Sequence, residues 1–71
     1  MASVDEARAA AEAVARGGYG KLVALLAARS RDVAGAEDAL ADAFAAALET
    51  WPGTGVPNSP EAWLLTVAGR R

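Results

Sequence analysis

Three carboxylates in the second half of the chain, Asp38, Asp42 and Glu49, are spaced so that they could act together in catalysis or in binding a partner. In a helix, a rotation of about 100° per residue places them and Ala45 along one side. Two carboxylates one turn apart could exchange protons with a substrate, as in general acid–base catalysis. They could equally form ion pairs with a basic partner, and small alanines between them would allow its close approach.

The residue types that usually assist carboxylates in catalysis are missing. The sequence has no histidine and no cysteine, so the commonest general base and the thiol nucleophile are both absent. Its glycine-rich stretch, residues 17–20, lacks the lysine and the hydroxyl residue that end a phosphate-binding loop. We therefore expect no enzymatic activity, no metal site and no cofactor.

Charge is unevenly distributed along the chain. Residues 1–35 hold five cations and four acids, whereas residues 36–71 hold two cations and five acids, with no cation from Val33 to Gly69. The acidic side could be a plain solvated face, but such faces usually contain Glu–Lys pairs four residues apart, and none occur here. The pattern opposes nucleic-acid binding and suits a basic protein partner.

Helix signals cover most of the first 30 residues. Ser3 and Glu6 form a capping box, which predicts a helix that starts at Val4. Gly17-Gly18 would interrupt or end it. A second apolar repeat at helical spacing begins at Tyr19 and runs to about Ser30. The two segments could instead be one kinked helix, because a glycine weakens a helix by only about 1 kcal/mol.

The remaining helices have their own start and stop signals. Asp32 is placed to cap a helix that starts at Val33, and Pro52 should stop it. Ser59 as N-cap, with Pro60 at the first helical position, predicts a final helix. We expect an all-α fold: one domain over residues 1–71, a small open bundle of three to four helices.

The large apolar residues fall on the helix faces that would pack together. Trp51 and Trp63 could be platforms on which bases stack, but their helical spacing favours a place in the core. The predicted core consists of Leu22, Leu26, Leu40, Phe44, Leu48, Trp51, Trp63, Leu64 and Val67. Since neither a membrane-spanning run nor a cationic signal peptide is apparent, we expect a cytoplasmic location.

Residues 19–71 carry a resemblance to a known family. An Ala36-Glu37-Asp38 step is followed by Ala39-Leu40, Asp42 and Phe44, and Trp51 ends the helix. A loop, Gly55-Val56-Pro57-Asn58, then leads to Pro60-Glu61-Ala62-Trp63-Leu64. This order resembles the second conserved region of the extracytoplasmic-function sigma factors, a branch of the bacterial sigma-70 family. The loop is most similar to the group with a tetratricopeptide-like C-terminal extension.

The resemblance implies a partner: the basic two-helix coiled coil on the clamp of the largest RNA polymerase subunit. Carried over by position, the contact face is Asp38, Ala41, Asp42, Ala45 and Glu49, with Ala41 in place of the glutamine of many relatives.

The resemblance also implies that the promoter-reading segment would follow Arg71 and that the helix-turn-helix domain is absent. We therefore expect a fragment in which Arg70 and Arg71 begin the DNA-proximal surface, with promoter DNA bound only by the longer protein. Two alternatives stay open: a helical interaction module that does not contact DNA, and a homo-oligomer of this chain.

Overall fold

The first helix, α1, spans Val4–Ser30 in the computed structural model, which describes residues 2–70. Its predicted capping box is confirmed: Glu6 N–H donates to Ser3 Oγ at 3.0 Å, and Ser3 N–H donates to Glu6 Oε1 at 3.5 Å. At the other end, Arg31 adopts a left-handed conformation with φ of 58° and donates its N–H to the Ala27 carbonyl. Thus α1 has defined caps at both ends.

The glycine pair does not divide α1. The sequence was compatible with two helices or with one, and the structure has one continuous helix. Gly18 is buried where the start of the last helix comes close: a methyl group there would lie 2.6 Å from Glu61 Oε2. Lys21, one turn further along α1, donates to Glu61 Oε1 at 3.3 Å. Packing on both sides of the glycines therefore offsets their low helix propensity.

Replacing Gly17 by alanine is expected to raise the free energy of unfolding by about 1 kcal/mol. Gly17 is exposed inside the helix, and a methyl group there would meet no atom within 4 Å. Gly18→Ala is the matched control: its methyl group would displace the Glu61 carboxylate, so its gain should be smaller. Urea unfolding measures both, and a loss of stability in Gly17→Ala would contradict a continuous α1.

The second helix, α2, spans Val33–Thr54 and starts as predicted, with Asp32 Oδ1 accepting from Gly35 N–H at 2.9 Å. The prediction that Pro52 stops this helix was wrong. A proline near a helix end removes only the bond to the carbonyl four residues earlier. The chain then leaves the helix at Gly55, whose φ of 93° favours glycine and whose N–H donates to the Trp51 carbonyl at 2.7 Å.

The third helix, α3, spans Pro60–Gly69, and Pro60 occupies its first turn as predicted. Ser59 is the N-cap residue, but its side chain makes no capping hydrogen bond, so that part of the prediction was wrong. The Ser59 carbonyl instead accepts from Trp63 N–H at 3.1 Å. The start of α3 therefore depends on proline geometry and on packing rather than on a side-chain cap.

The three helices form a small all-α bundle, and residues 2–70 contain no strand. The two-residue turn Arg31–Asp32 joins α1 and α2 into an antiparallel pair, and α3 packs against both. The ring centroids of Trp51 on α2 and Trp63 on α3 lie 5.3 Å apart, edge to face. The buried hydrophobic residues of the described chain are Ala7, Ala11, Leu22, Leu26, Ala36, Leu40, Ala43, Ala47, Trp51, Leu64 and Ala68.

Four of the nine predicted core residues are less buried than expected. Phe44, Trp63 and Val67 are half-buried at the edge of the core. Leu48 is 43% exposed, so its assignment to the core was wrong. The α1 residues beside it, Ala11 and Ala15, are too short to cover it and leave an open groove.

No helix within residues 2–70 is long and apolar enough to cross a membrane.

Candidate partner-binding surface

The predicted contact face lies on the outer side of α2. Five residues that the sequence places together are all exposed on this helix, and we call them the acidic stripe: Asp38, Ala41, Asp42, Ala45 and Glu49. The opposite side of α2 is its buried side, which runs from Ala36 through Leu40 to Trp51. Because one helix carries both sides, burial of the apolar side fixes the stripe toward solvent.

The stripe is a one-signed surface with little relief. Within residues 2–70, neither Asp38 nor Glu49 forms an ion pair. The salt bridge between Lys21 and Glu61 joins α1 to α3, and both of its side chains are largely exposed. Between the acids, Ala41 and Ala45 project only methyl groups. A partner with basic side chains could therefore approach the α2 backbone closely and meet carboxylates on both sides.

The acids of the described chain do not form a metal site. No group of three or more potential ligands comes together within residues 2–70. Successive stripe acids lie one or two helical turns apart along α2, so they are spread along the helix rather than directed at one point. The geometry of the stripe is that of an extended contact surface.

The predicted DNA-proximal residues are on a different element. Arg70 is exposed directly after α3, and its backbone N–H donates to the Val67 carbonyl at 3.2 Å. Arg71 lies outside the described residues. Arg29 of α1 extends toward this end of α3: its Nη1 atom is 3.9 Å from where a methyl group on Gly69 would lie. The two described cations here come from the last turn of α1 and from the turn after α3, so they do not form a continuous helix face.

Sequence reasoning missed a second surface, which we call the α1–α2 groove. It has a volume of about 340 Å³ and an open mouth, and it lies between the N-terminal half of α1 and the C-terminal half of α2. Tyr19 stacks on Phe44 beside it, with ring centroids 6.2 Å apart. The available signal was the helical spacing of the α1 positions that face α2. The groove is lined by Arg8, Ala11, Glu12, Ala15, Phe44 and Leu48.

Comparisons of the chain with protein-family models, with curated proteins and with solved structures found no match.

Proposed function

We propose that this chain is the polymerase-binding part of an alternative sigma factor, a subunit that acts in transcription initiation. The observation that carries the proposal is the acidic stripe. It is an exposed, one-signed face in a segment, residues 33–69, that contains no cation. The order of motifs from Ala36 to Leu64, which resembles the second conserved region of sigma factors, names the partner.

The proposed mechanism is docking between opposite charges. The clamp coiled coil presents basic side chains, and the planar guanidinium group of arginine can pair with a carboxylate through two parallel hydrogen bonds. Asp38, Asp42 and Glu49 supply such carboxylates along α2, and Ala41 and Ala45 leave the space between them open. Complementary potentials would mainly speed association and select the partner.

The other two helices have a supporting role in this proposal. Packing of α1 and α3 buries the apolar side of α2 and so fixes which side faces the polymerase. These 71 residues have a net charge of −2. Binding to duplex DNA requires several phosphate contacts from cations. The proposal therefore assigns polymerase binding, and not promoter recognition, to these residues, and the localisation that follows from it is cytoplasmic.

The test is a calorimetric titration of the chain with the isolated clamp coiled coil. We expect binding at low salt that weakens strongly as the salt concentration rises, because exposed charges are screened over about 10 Å at 0.1 M. The matched control is the same coiled coil with its arginines replaced by glutamine, which should not bind. Equal binding of both coiled coils, or no binding of either at low salt, would refute the proposal.

A second candidate function is that of a self-associating helical module. The specific observation in its favour is the α1–α2 groove, where Leu48 is 43% exposed and the Tyr19–Phe44 stack lies at the surface. The groove and the acidic stripe lie on neighbouring sides of α2, so self-association and clamp binding can be tested separately.

A further inference from the structure

The α1–α2 groove is a shallow, wide-open depression with a largely apolar lining. Leu48 and half-buried Phe44 form its α2 wall. On the α1 side, Ala11 and Ala15 are small enough to leave a depression of about 340 Å³ rather than a ridge. Leu48 therefore projects beside a shallow apolar depression on the same surface.

The charges at the rim of the groove are complementary to themselves. Arg8 and Glu12 lie one turn apart on α1, and both are exposed. Neither takes part in an ion pair within the described chain. If two copies of α1 cross in opposite directions between these positions, Arg8 of each copy meets Glu12 of the other. Two reciprocal ion pairs would then form about one axis, the arrangement that a two-fold interface requires.

We propose that the α1–α2 groove is a homodimer interface, in which it packs against the same groove of a second copy about a two-fold axis. Leu48 lies near the axis and packs against its symmetry mate over Ala11 and Ala15. The Tyr19–Phe44 stack flanks this contact, and the Arg8–Glu12 pairs form its rim. The inference goes beyond clamp binding, and it specifies the geometry of the self-association named above as the second candidate function.

The surface area available for the interface limits the strength of the dimer. Stable interfaces bury roughly 600 to 1,000 Å² on each partner. The whole chain exposes 4404 Å², so such an interface would cover roughly a seventh to a quarter of its surface. The groove itself is shallow and would supply only a small part of such an interface, with Leu48 as its one exposed aliphatic side chain. We therefore expect a weak dimer that dissociates on dilution through the micromolar range.

Dimerisation would also stabilise the fold. Six of the eleven buried hydrophobic residues in the described chain are alanines, so each copy buries little large apolar surface by itself. A contact made only by the folded state stabilises that state by mass action. The thermal midpoint should therefore rise with protein concentration.

The first experiment is sedimentation of the 71-residue chain from low micromolar to near-millimolar concentration. We expect a monomer–dimer equilibrium, and Leu48→Glu should raise the dissociation constant at least about tenfold, since it places like charges near the axis. Leu25→Glu is the matched control: Leu25 is 48% exposed on α1 but does not line the groove, so its dimer should persist. Circular dichroism checks that both variants remain helical.

The second experiment tests the charge pairing at the rim. Arg8→Glu should weaken the dimer, because each copy would then present only acids there. Arg8→Glu combined with Glu12→Arg should restore it, because the two reciprocal pairs re-form with exchanged charges. A wild-type chain that stays monomeric at the highest concentration, a double variant that fails to recover, or equal effects of Leu48→Glu and Leu25→Glu would each overturn the proposal. Clamp binding by the charge-exchanged double variant, which leaves α2 and the net charge unchanged, should match that of the wild-type chain and so reports on the acidic stripe separately.

Discussion

Replacing Asp38 and Asp42 together by arginine is expected to abolish binding to the clamp coiled coil while the chain stays folded. Both residues are exposed on α2, one turn apart, so the change reverses the sign at the centre of the acidic stripe. Truncating one partner of a hydrogen-bonded charge pair in an interface costs about 2 to 5 kcal/mol. Charge reversal adds repulsion to this loss. The measurement is the calorimetric titration with the isolated coiled coil, with circular dichroism to verify helicity.

A matched pair of variants separates the local contact from the overall charge. Asp38→Asn with Asp42→Asn removes two negative charges from the stripe, and Ala24→Lys with Ala28→Lys adds two positive charges on the exposed side of α1. Both variants change the net charge equally. Only the first should weaken binding if the carboxylates make direct contacts. If the two variants bind alike, the stripe acts only through the overall field of the chain.

Trp51→Ala is expected to destabilise the chain by about 3 to 5 kcal/mol, a loss comparable with the whole stability of so small a domain. Trp51 is fully buried and is the largest side chain in the core. Its removal would leave a cavity beside Trp63, with which it packs edge to face. Urea and thermal unfolding followed by circular dichroism would show a chain that is largely unfolded at room temperature.

The stability losses of two further variants should follow how deeply each α2 side chain is buried. Phe44→Ala should cost less than Trp51→Ala, because Phe44 is half-buried at the edge of the core. Leu48→Ala should change the stability of the monomer by less than about 0.5 kcal/mol, because Leu48 lies in the open groove. A Leu48→Ala variant as unstable as Trp51→Ala would show that the groove is closed in solution.

Features that depend on a few neighbouring residues could be predicted from the sequence. The cap of α1 at Ser3 and the cap of α2 at Asp32 each use a side chain and a backbone N–H three residues away. Such contacts form whenever the helix forms, so the residue types alone identify them. The outward direction of Asp38 and Glu49 was equally predictable, because helical periodicity fixes it relative to Leu40 and Trp51.

Features that depend on a second element could not be predicted. The helical wheel places Leu48 on the apolar side of α2 but does not show that Ala11 and Ala15 of α1 are too small to cover it. The close approach of Glu61 of α3 to Gly18 of α1 likewise cannot be read from either segment alone. The α1–α2 groove belongs to the same class, since it exists only once the register between the two helices is set.

The contact between Trp51 and Trp63 gives the chain an optical reporter of its own folding. The Trp51 indole N–H is buried and has no hydrogen-bond partner among residues 2–70, so this ring lies in a nonpolar environment that shifts tryptophan emission toward the blue. Trp63 lies 5.3 Å away on another helix, close enough for the two transitions to couple in the near-ultraviolet dichroism spectrum. If α3 moves away from α2, the coupling signal disappears and water reaches Trp51, which shifts its emission toward the red. Detachment of α3 can therefore be followed with light, in the unlabelled chain and in real time, while the α1–α2 pair stays intact.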